Sequence, residues 1–168
     1  MGEDEFTAFA SAHATSLVRF AAALCGDQGR GEEIAQEALE RLYVKWARVD
    51  DPLSYARRSV VNLSRDRWRR IDRHERVGLN GIAHPAAPSA GDLPDRLLVL
   101  AALRSLPPGQ RAVLVARYWL GLGEAQTAEL VGVSVGTVKS QASRGLRRLR
   151  DLLGEEQLAA TTRHGRAR

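Results

Sequence analysis

The chain has 168 residues, 44% apolar and 27% charged, which suits one ordinary folded domain or two small ones and excludes a fibrous or low-complexity protein. Its single cysteine, Cys25, excludes an internal disulfide and, beside Ala, Leu and Gly, reads as a packed thiol rather than a nucleophile. The net charge of +5 hides a segregation: acids dominate up to Glu40, whereas arginines dominate residues 57–76 and return with Lys139 in residues 139–150. Separate basic blocks suit a polyanion, because each neutralised phosphate releases counterions.

The start, MGEDEFTAF, is acidic and without a long apolar run. No secretory signal is expected, nor an apolar stretch long enough to span a bilayer, so the expected setting is cytoplasmic, without membrane insertion. Phe6, Phe9, Ala10, His13, Leu17, Phe20 and Leu24 then fall on one helical stripe. His13 lies within that stripe and reads as packed. GDQGRG breaks the helix, and a second is expected over residues 32–46, with Ile34, Ala35, Ala38, Leu39, Leu42 and Trp46 inward. A third begins after DDP, where Asp51 caps and Pro52 fits the first turn, and runs toward Arg73.

Residues 77–94, VGLNGIAHPAAPSAGDLP, lose the periodicity and gain Gly, Pro and Ala, the composition of a flexible linker. Periodic residues resume with DRLLVLAALRSL, where Leu97, Leu100, Ala101 and Leu103 share a face. A helix through RAVLVARYWLGL follows, then one over residues 124–131 and one from about 134 to 153. The remainder, residues 155–168, is expected to be a disordered tail. Beta signals are weak throughout, so the expected fold class is all-α, with two small helical domains joined by the linker.

The last two helices carry a specific pattern. A helix-turn-helix needs a small residue where its helices cross and favours glycine in the turn, where a positive φ is cheap. Ala128 and Gly132 stand in those places, and Ser134 is a good N-cap. Val138, Ala142, Leu146 and Leu149 form the inward face, leaving Thr137, Lys139, Ser140, Ser143, Arg144 and Arg147 outside. Hydroxyls early and arginines later suit a helix entering the major groove N-terminus first; a plain hairpin with a soluble outer face is the alternative.

The segment from LRSLPPGQR to LRRLRDLL resembles region four of bacterial RNA polymerase sigma factors, most closely in LPPGQR and in T-V-K-S. Independently, EEIAQEALERLYVKW resembles the polymerase-binding helix of sigma region two, and DPLSYARRSVVNLSRDRWRR its promoter-melting helix. The order and the short linker are similar to those of extracytoplasmic-function (group four) sigma factors, the SigE-like actinobacterial type above all. The resemblance implies a region-two domain over residues 1–76 and a region-four domain over residues 95–154.

It also implies a division of labour. Glu33, Gln36, Glu37 and Glu40 would dock on core RNA polymerase, through the β′ clamp helices, with the β subunit as a further contact. Glu33 stands where the family often has Asp, and Ala35 and Ala38 where it has bulkier apolar residues. The loop ARVDDPLSY, with Asp50 and Tyr55, would hold a minus-ten base; Asn62 matches a family asparagine, and Arg57, Arg58, Arg65, Arg69 and Arg70 would meet phosphates. Trp46, Tyr55 and Trp68 are stacking or core residues. Ser134, Val135, Gly136, Thr137, Lys139, Ser140, Ser143, Arg144 and Arg147 would read minus-thirty-five promoter DNA. An anti-sigma factor is a further partner the resemblance allows.

A stand-alone dimeric helix-turn-helix regulator would explain the second domain but not the acidic helix followed by an arginine-rich one. A DNA-processing enzyme finds no paired carboxylates, and GLGEAQ is too short a glycine match for nucleotide binding. His13, His74, His84 and His164 are scattered, so no metal, cofactor or catalytic residue is expected.

Overall fold

The computed structural model describes the backbone of residues 2–76 and 94–164, and the side chains of residues 2–70 and 99–153. The linker assignment falls mostly outside the described residues, as do His84 and the side chains of His74, Leu97 and His164. Among the described residues every regular element is helical, in two compact units within residues 1–87 and 88–168.

The first unit is a bundle of α1 (Gly2–Cys25), α2 (Gln28–Lys45) and α3 (Pro52–Arg76), with a 3-10 turn, Trp46–Arg48, before α3. The stripe expected on α1 is half-buried at Phe6, Phe9 and His13 and fully buried from Leu17 onward. Phe20, Ala21, Ala22, Ala23, Leu24 and Cys25 are all inside, so the helix loses its polar face where α2 and α3 close over it. Against the sequence expectation, α1 is long and apolar enough, at 24 residues, to pass for a membrane span by length and composition. The apolar surplus is core: its buried end packs against Ile34, Ala35, Ala38 and Leu42 of α2 and Val60 and Val61 of α3. Each large side chain so buried stabilises the unit by about 1.5–3 kcal/mol.

The GDQGRG break is shorter than expected. Gly26, at φ +68°, ends α1, and Asp27 caps α2 by accepting the Arg30 backbone N–H at 2.8 Å. Helix therefore resumes at Gln28 and absorbs Gly31. A Cβ on Gly31 would lie 2.5 Å from the Ala22 backbone nitrogen, so glycine permits the two backbones to approach. Ala35 and Ala38, small where the family often has bulkier residues, are both wholly buried as expected. Asp51 caps α3 as expected: its carboxylate accepts the Ser54 N–H at 3.0 Å and the Ser54 hydroxyl at 2.6 Å.

The second unit comprises α4 (Pro94–Arg104), α5 (Pro108–Leu114), a π-helical turn (Val115–Trp119), α6 (Glu124–Val131) and α7 (Val135–His164). On α4 the inward residues are Leu100, Ala102 and Leu103, followed by Leu106 in the turn after it; Ala101, expected inside, is exposed. Within LPPGQR, Arg111 is 1% exposed. Its Nη2 donates to the Arg104 and Leu106 carbonyls at 2.8 and 2.9 Å, satisfying oxygens that the end of α4 leaves without helical partners. The expected RYWLGL helix changes character at Val115: the wider turn ends with Leu120 N–H on Val115 O at 3.1 Å, and Gly121 takes φ +68°.

Helix α7 is continuous to His164, and the last four residues of the expected tail lie outside the described residues. Beyond Gly154 the sequence EEQLAA holds strong helix formers and no proline, so nothing local stops propagation.

Candidate nucleic-acid and docking surfaces

The helix-turn-helix forms where the sequence places it. Gly132 adopts φ +72° after α6, and the N–H groups of Gly132 and Val133 both donate to Ala128 O, at 2.8 and 3.0 Å. The Ser134 hydroxyl then accepts the Thr137 N–H at 3.1 Å and lies 2.8 Å from the Thr137 hydroxyl. One N-cap thus aligns two of the candidate DNA-contacting side chains. Val138 is completely buried, with Ala142, Leu146 and Leu149 half-buried. Gly145, unnoticed in the sequence, is the other close contact: a Cβ there would meet Leu114 Cδ1 at 2.8 Å.

With that face inward, Ser134, Val135, Gly136, Lys139, Ser140, Ser143, Arg144 and Arg147 are all exposed, and Thr137 half-exposed. Gly136, Ser140, Ser143 and Arg147 follow one line along the helix, with Lys139 and Arg144 to its two sides. The Lys139 ammonium stands 3.6 Å from the Glu124 carboxylate at the start of α6. Ser140 donates its hydroxyl to Thr137 O at 3.0 Å.

In the first unit, Tyr55, Arg58, Asn62, Arg65 and Arg69 recur at alternating steps of three and four and so share one face of α3. Asn62 is exposed, while its neighbours Val60, Val61 and Leu63 are core. Arg57 and Arg70 fall to either side of the stripe. Burial pulls the Arg57 guanidinium below its ordinary range, opposed by the charge of Asp51. Of the two loop acids, Asp51 is committed to its cap and Asp50 stays exposed. Tyr55 is half-buried under the Lys45 ammonium, 5.7 Å from its ring centroid. Trp46 packs edge-on against Phe6 and tilted against Phe9, each at 5.3 Å, as a core residue would. Trp68 is half-buried beside a cleft shared with Cys25, Arg30, Ser64 and Arg67.

Glu33, Gln36, Glu37 and Glu40 line an exposed face of α2, and all four side chains already have partners. Glu33 meets Arg67 of α3 at 2.7 Å, Glu37 meets Arg41 at 2.7 Å, and Gln36 donates to Glu40 at 3.0 Å. Val44, four residues beyond Glu40, is 82% exposed on the same face; its spacing is the one signal of this in the sequence. Among the described residues, no group of three or more His, Cys, Asp or Glu side chains is arranged to hold a metal.

An exposed acidic face with an apolar residue, a basic helix presenting an amide, and a helix-turn-helix follow one another along the chain. The Sigma-70 region 2 model matches residues 9–74, and the Sigma-70 region 4 model matches residues 96–149. Over 165 residues the chain is 34% identical to an RNA polymerase sigma-E factor of Streptomyces coelicolor, covering 95% of this chain and 93% of that one. It is 40% identical over 101 residues to the ECF RNA polymerase sigma factor SigM of Mycobacterium tuberculosis, covering 60% of this chain and 51% of the relative. The sigma factor RpoE of Bartonella quintana, solved in complex with the anti-sigma factor NepR, superposes with a TM-score of 0.72 at 21% identity, over 90% of this chain and 98% of that one. The chain belongs to the extracytoplasmic-function (ECF) sigma factors of RNA polymerase. It is an initiation factor that directs transcription by that polymerase, and a stand-alone regulator is not favoured, since region two accounts for the acidic and arginine-rich helices.

Proposed function

We propose that residues 1–76 bind core polymerase and open the minus-ten element, that residues 95–154 read the minus-thirty-five element, and that residues 77–94 join them, helix α4 beginning at Pro94. Docking uses Glu33, Gln36, Glu37 and Glu40 against the β′ clamp helices, with β as a second contact. Opening uses Asp50, Tyr55 and Asn62 around an extruded base, with Arg57, Arg58, Arg65, Arg69 and Arg70 on phosphates. Reading uses Ser134, Val135, Gly136, Thr137, Lys139, Ser140, Ser143, Arg144 and Arg147. The protein performs no catalysis of its own and works in the cytoplasm, where promoter DNA and polymerase are.

The observation carrying this reading is the exposed Asn62 amide within the Tyr55–Arg58–Asn62–Arg65–Arg69 stripe. An amide both donates and accepts, as recognition of an unpaired base edge requires, and the cations beside it track a strand. Unstacking a base costs a few kcal/mol, offset by its capture. Permanganate footprinting with reconstituted holoenzyme tests it: the unaltered chain opens a promoter that Asn62→Ala opens poorly. Equal opening by both proteins rejects the role.

An anti-sigma factor is a fitting regulator, because RpoE of Bartonella quintana, similar in fold, was solved in complex with the anti-sigma factor NepR. Co-purification of this chain with a regulator that blocks its assembly with core polymerase tests that part.

A further inference from the structure

Glu124 opens α6, and its carboxylate reaches across the helix-turn-helix to the Lys139 ammonium, 3.6 Å away. The first turn of α6 is held in place. The Gly123 N–H donates to Gln126 Oε1 at 2.9 Å, and Thr127 N–H to Gly123 O at 2.9 Å. An acid in that turn is also favoured by the helix dipole. Beside it, the outer face of α7 presents hydroxyls and cations: Ser140, Ser143, Arg144 and Arg147. Glu124 thus puts a negative charge at the end of that face from which a major-groove helix reads bases.

Both partners remain substantially in water, at 63% and 40% side-chain exposure, so the pair adds little to stability. Its effect lies in where the lysine charge is spent. An ammonium resting on phosphate raises affinity for every sequence alike, whereas one aimed at O6 and N7 of guanine, or O4 of thymine, discriminates. A carboxylate beside it repels phosphate oxygens and disfavours the first arrangement. We infer that Glu124 is a specificity-determining positioning residue, which keeps Lys139 from the phosphates and directs it to base edges. This rests on α7 being the minus-thirty-five reader.

The test selects transcribed templates from a DNA library randomised through the promoter region. Holoenzyme is assembled with the full unaltered chain, Glu124→Gln, Glu124→Asp, Lys139→Gln, or Glu124→Gln with Lys139→Gln. Asp keeps the acid at the helix start but is one methylene shorter, so it separates loss of the pair from loss of the helix-end charge. Both Glu124 variants are expected to relax base preference at one or two upstream positions by roughly fivefold or more. Glu124→Gln should also hold unselected library DNA more tightly, with a salt slope steeper by about 0.9. In the Lys139→Gln background, Glu124→Gln should change nothing further. If Lys139→Gln alters the selected sequences while both Glu124 variants select as the unaltered chain does, the role of Glu124 is overturned and Lys139 keeps its place on DNA. If Lys139→Gln also selects unchanged, both assignments fall together.

Discussion

Arg67 of α3 closes on Glu33 of α2 at 2.7 Å and so ties the helix that carries the Tyr55–Asn62–Arg69 stripe to the helix that carries the acidic strip. Arg67 points away from the Tyr55–Asn62–Arg69 stripe, toward α2. Its partner is one of the four side chains assigned to polymerase. Both are solvent-accessible, at 42% and 64% side-chain exposure, so the pair itself contributes only about 0.2–1 kcal/mol. A basic partner on polymerase can therefore take over the carboxylate at small cost. Arg67→Ala should lower the melting temperature slightly and leave core affinity equal or higher, whereas Glu33→Ala should weaken core binding. Titration of both variants with core polymerase decides this; a large loss of affinity in Arg67→Ala would make the arginine itself a docking residue.

Asn62→Ala should fold and bind core polymerase normally, since the amide is exposed among buried neighbours. Open-complex formation should fall, and a template premelted at the minus-ten element should restore part of it, because the unpairing cost has already been met. A matching loss of thermal stability and core affinity, with no rescue by the bubble, would instead assign Asn62 to the packing of the bundle.

On α7, Lys139→Ala and Arg144→Ala should each weaken promoter recognition, by about 1–3 kcal/mol where the side chain makes a good base contact. Run-off transcription across upstream-element variants distinguishes a base contact from a phosphate contact. The former changes the ranking of variants; the latter lowers all of them alike. Unchanged transcription in both mutants removes these residues from the interface.

The Asp51 cap gives a pH-dependent prediction. Hydrogen bonds from the Ser54 hydroxyl and N–H hold its carboxyl below the ordinary aspartate range, so the unfolded chain takes up this proton before the folded one does. The cap's contribution is complete above the unfolded pKa and disappears as pH falls through the lower, folded value. Asp51→Ala should cost about 0.5–2 kcal/mol at neutral pH. The gap between mutant and unaltered chain in urea denaturation should narrow in acid; a gap that widens would contradict the assignment.

Two glycines should respond differently to alanine. At Gly31 the added methyl meets the Ala22 backbone at 2.5 Å, and backbone cannot move without shifting α1. The expected loss is about 1–3 kcal/mol or more, beyond the roughly 1 kcal/mol that alanine gains in helix propensity. At Gly145 the obstacle is the end of the Leu114 side chain, at 2.8 Å, which can rotate aside. Thermal melts should therefore rank Gly31→Ala well below Gly145→Ala.

Features governed by neighbours in sequence were legible. The turn at Gly132, the Ser134 cap and the Asp51–Pro52 start all follow from local backbone chemistry, and each forms as expected. The α1 stripe, read by period alone, was also correct. What stayed hidden depends on how one helix packs on the next. An arginine inside the second unit, Arg111, has the same letter as the arginines on its surface, and only the folded corner of α4 and α5 separates them. The acidic strip was visible as a strip, but its pairing with Arg67 was not, because Glu33 and Arg67 meet only once α2 and α3 have packed. The apolar character of α1 was understated for a local reason: the acids of its first turn masked that of the rest.

The two-residue corner at Gly26 and Asp27 also bears on the birth of the molecule. Helices α1 and α2 are consecutive, joined by almost no chain, and pack directly on each other, so the loop that must close is about as short as a helical hairpin allows. Bundles dominated by such local pairings fold in microseconds to milliseconds, while a ribosome adds only about 5–20 residues per second. The described residues up to Arg76 belong to a compact unit of their own. The first unit can therefore be finished while the second is still being made.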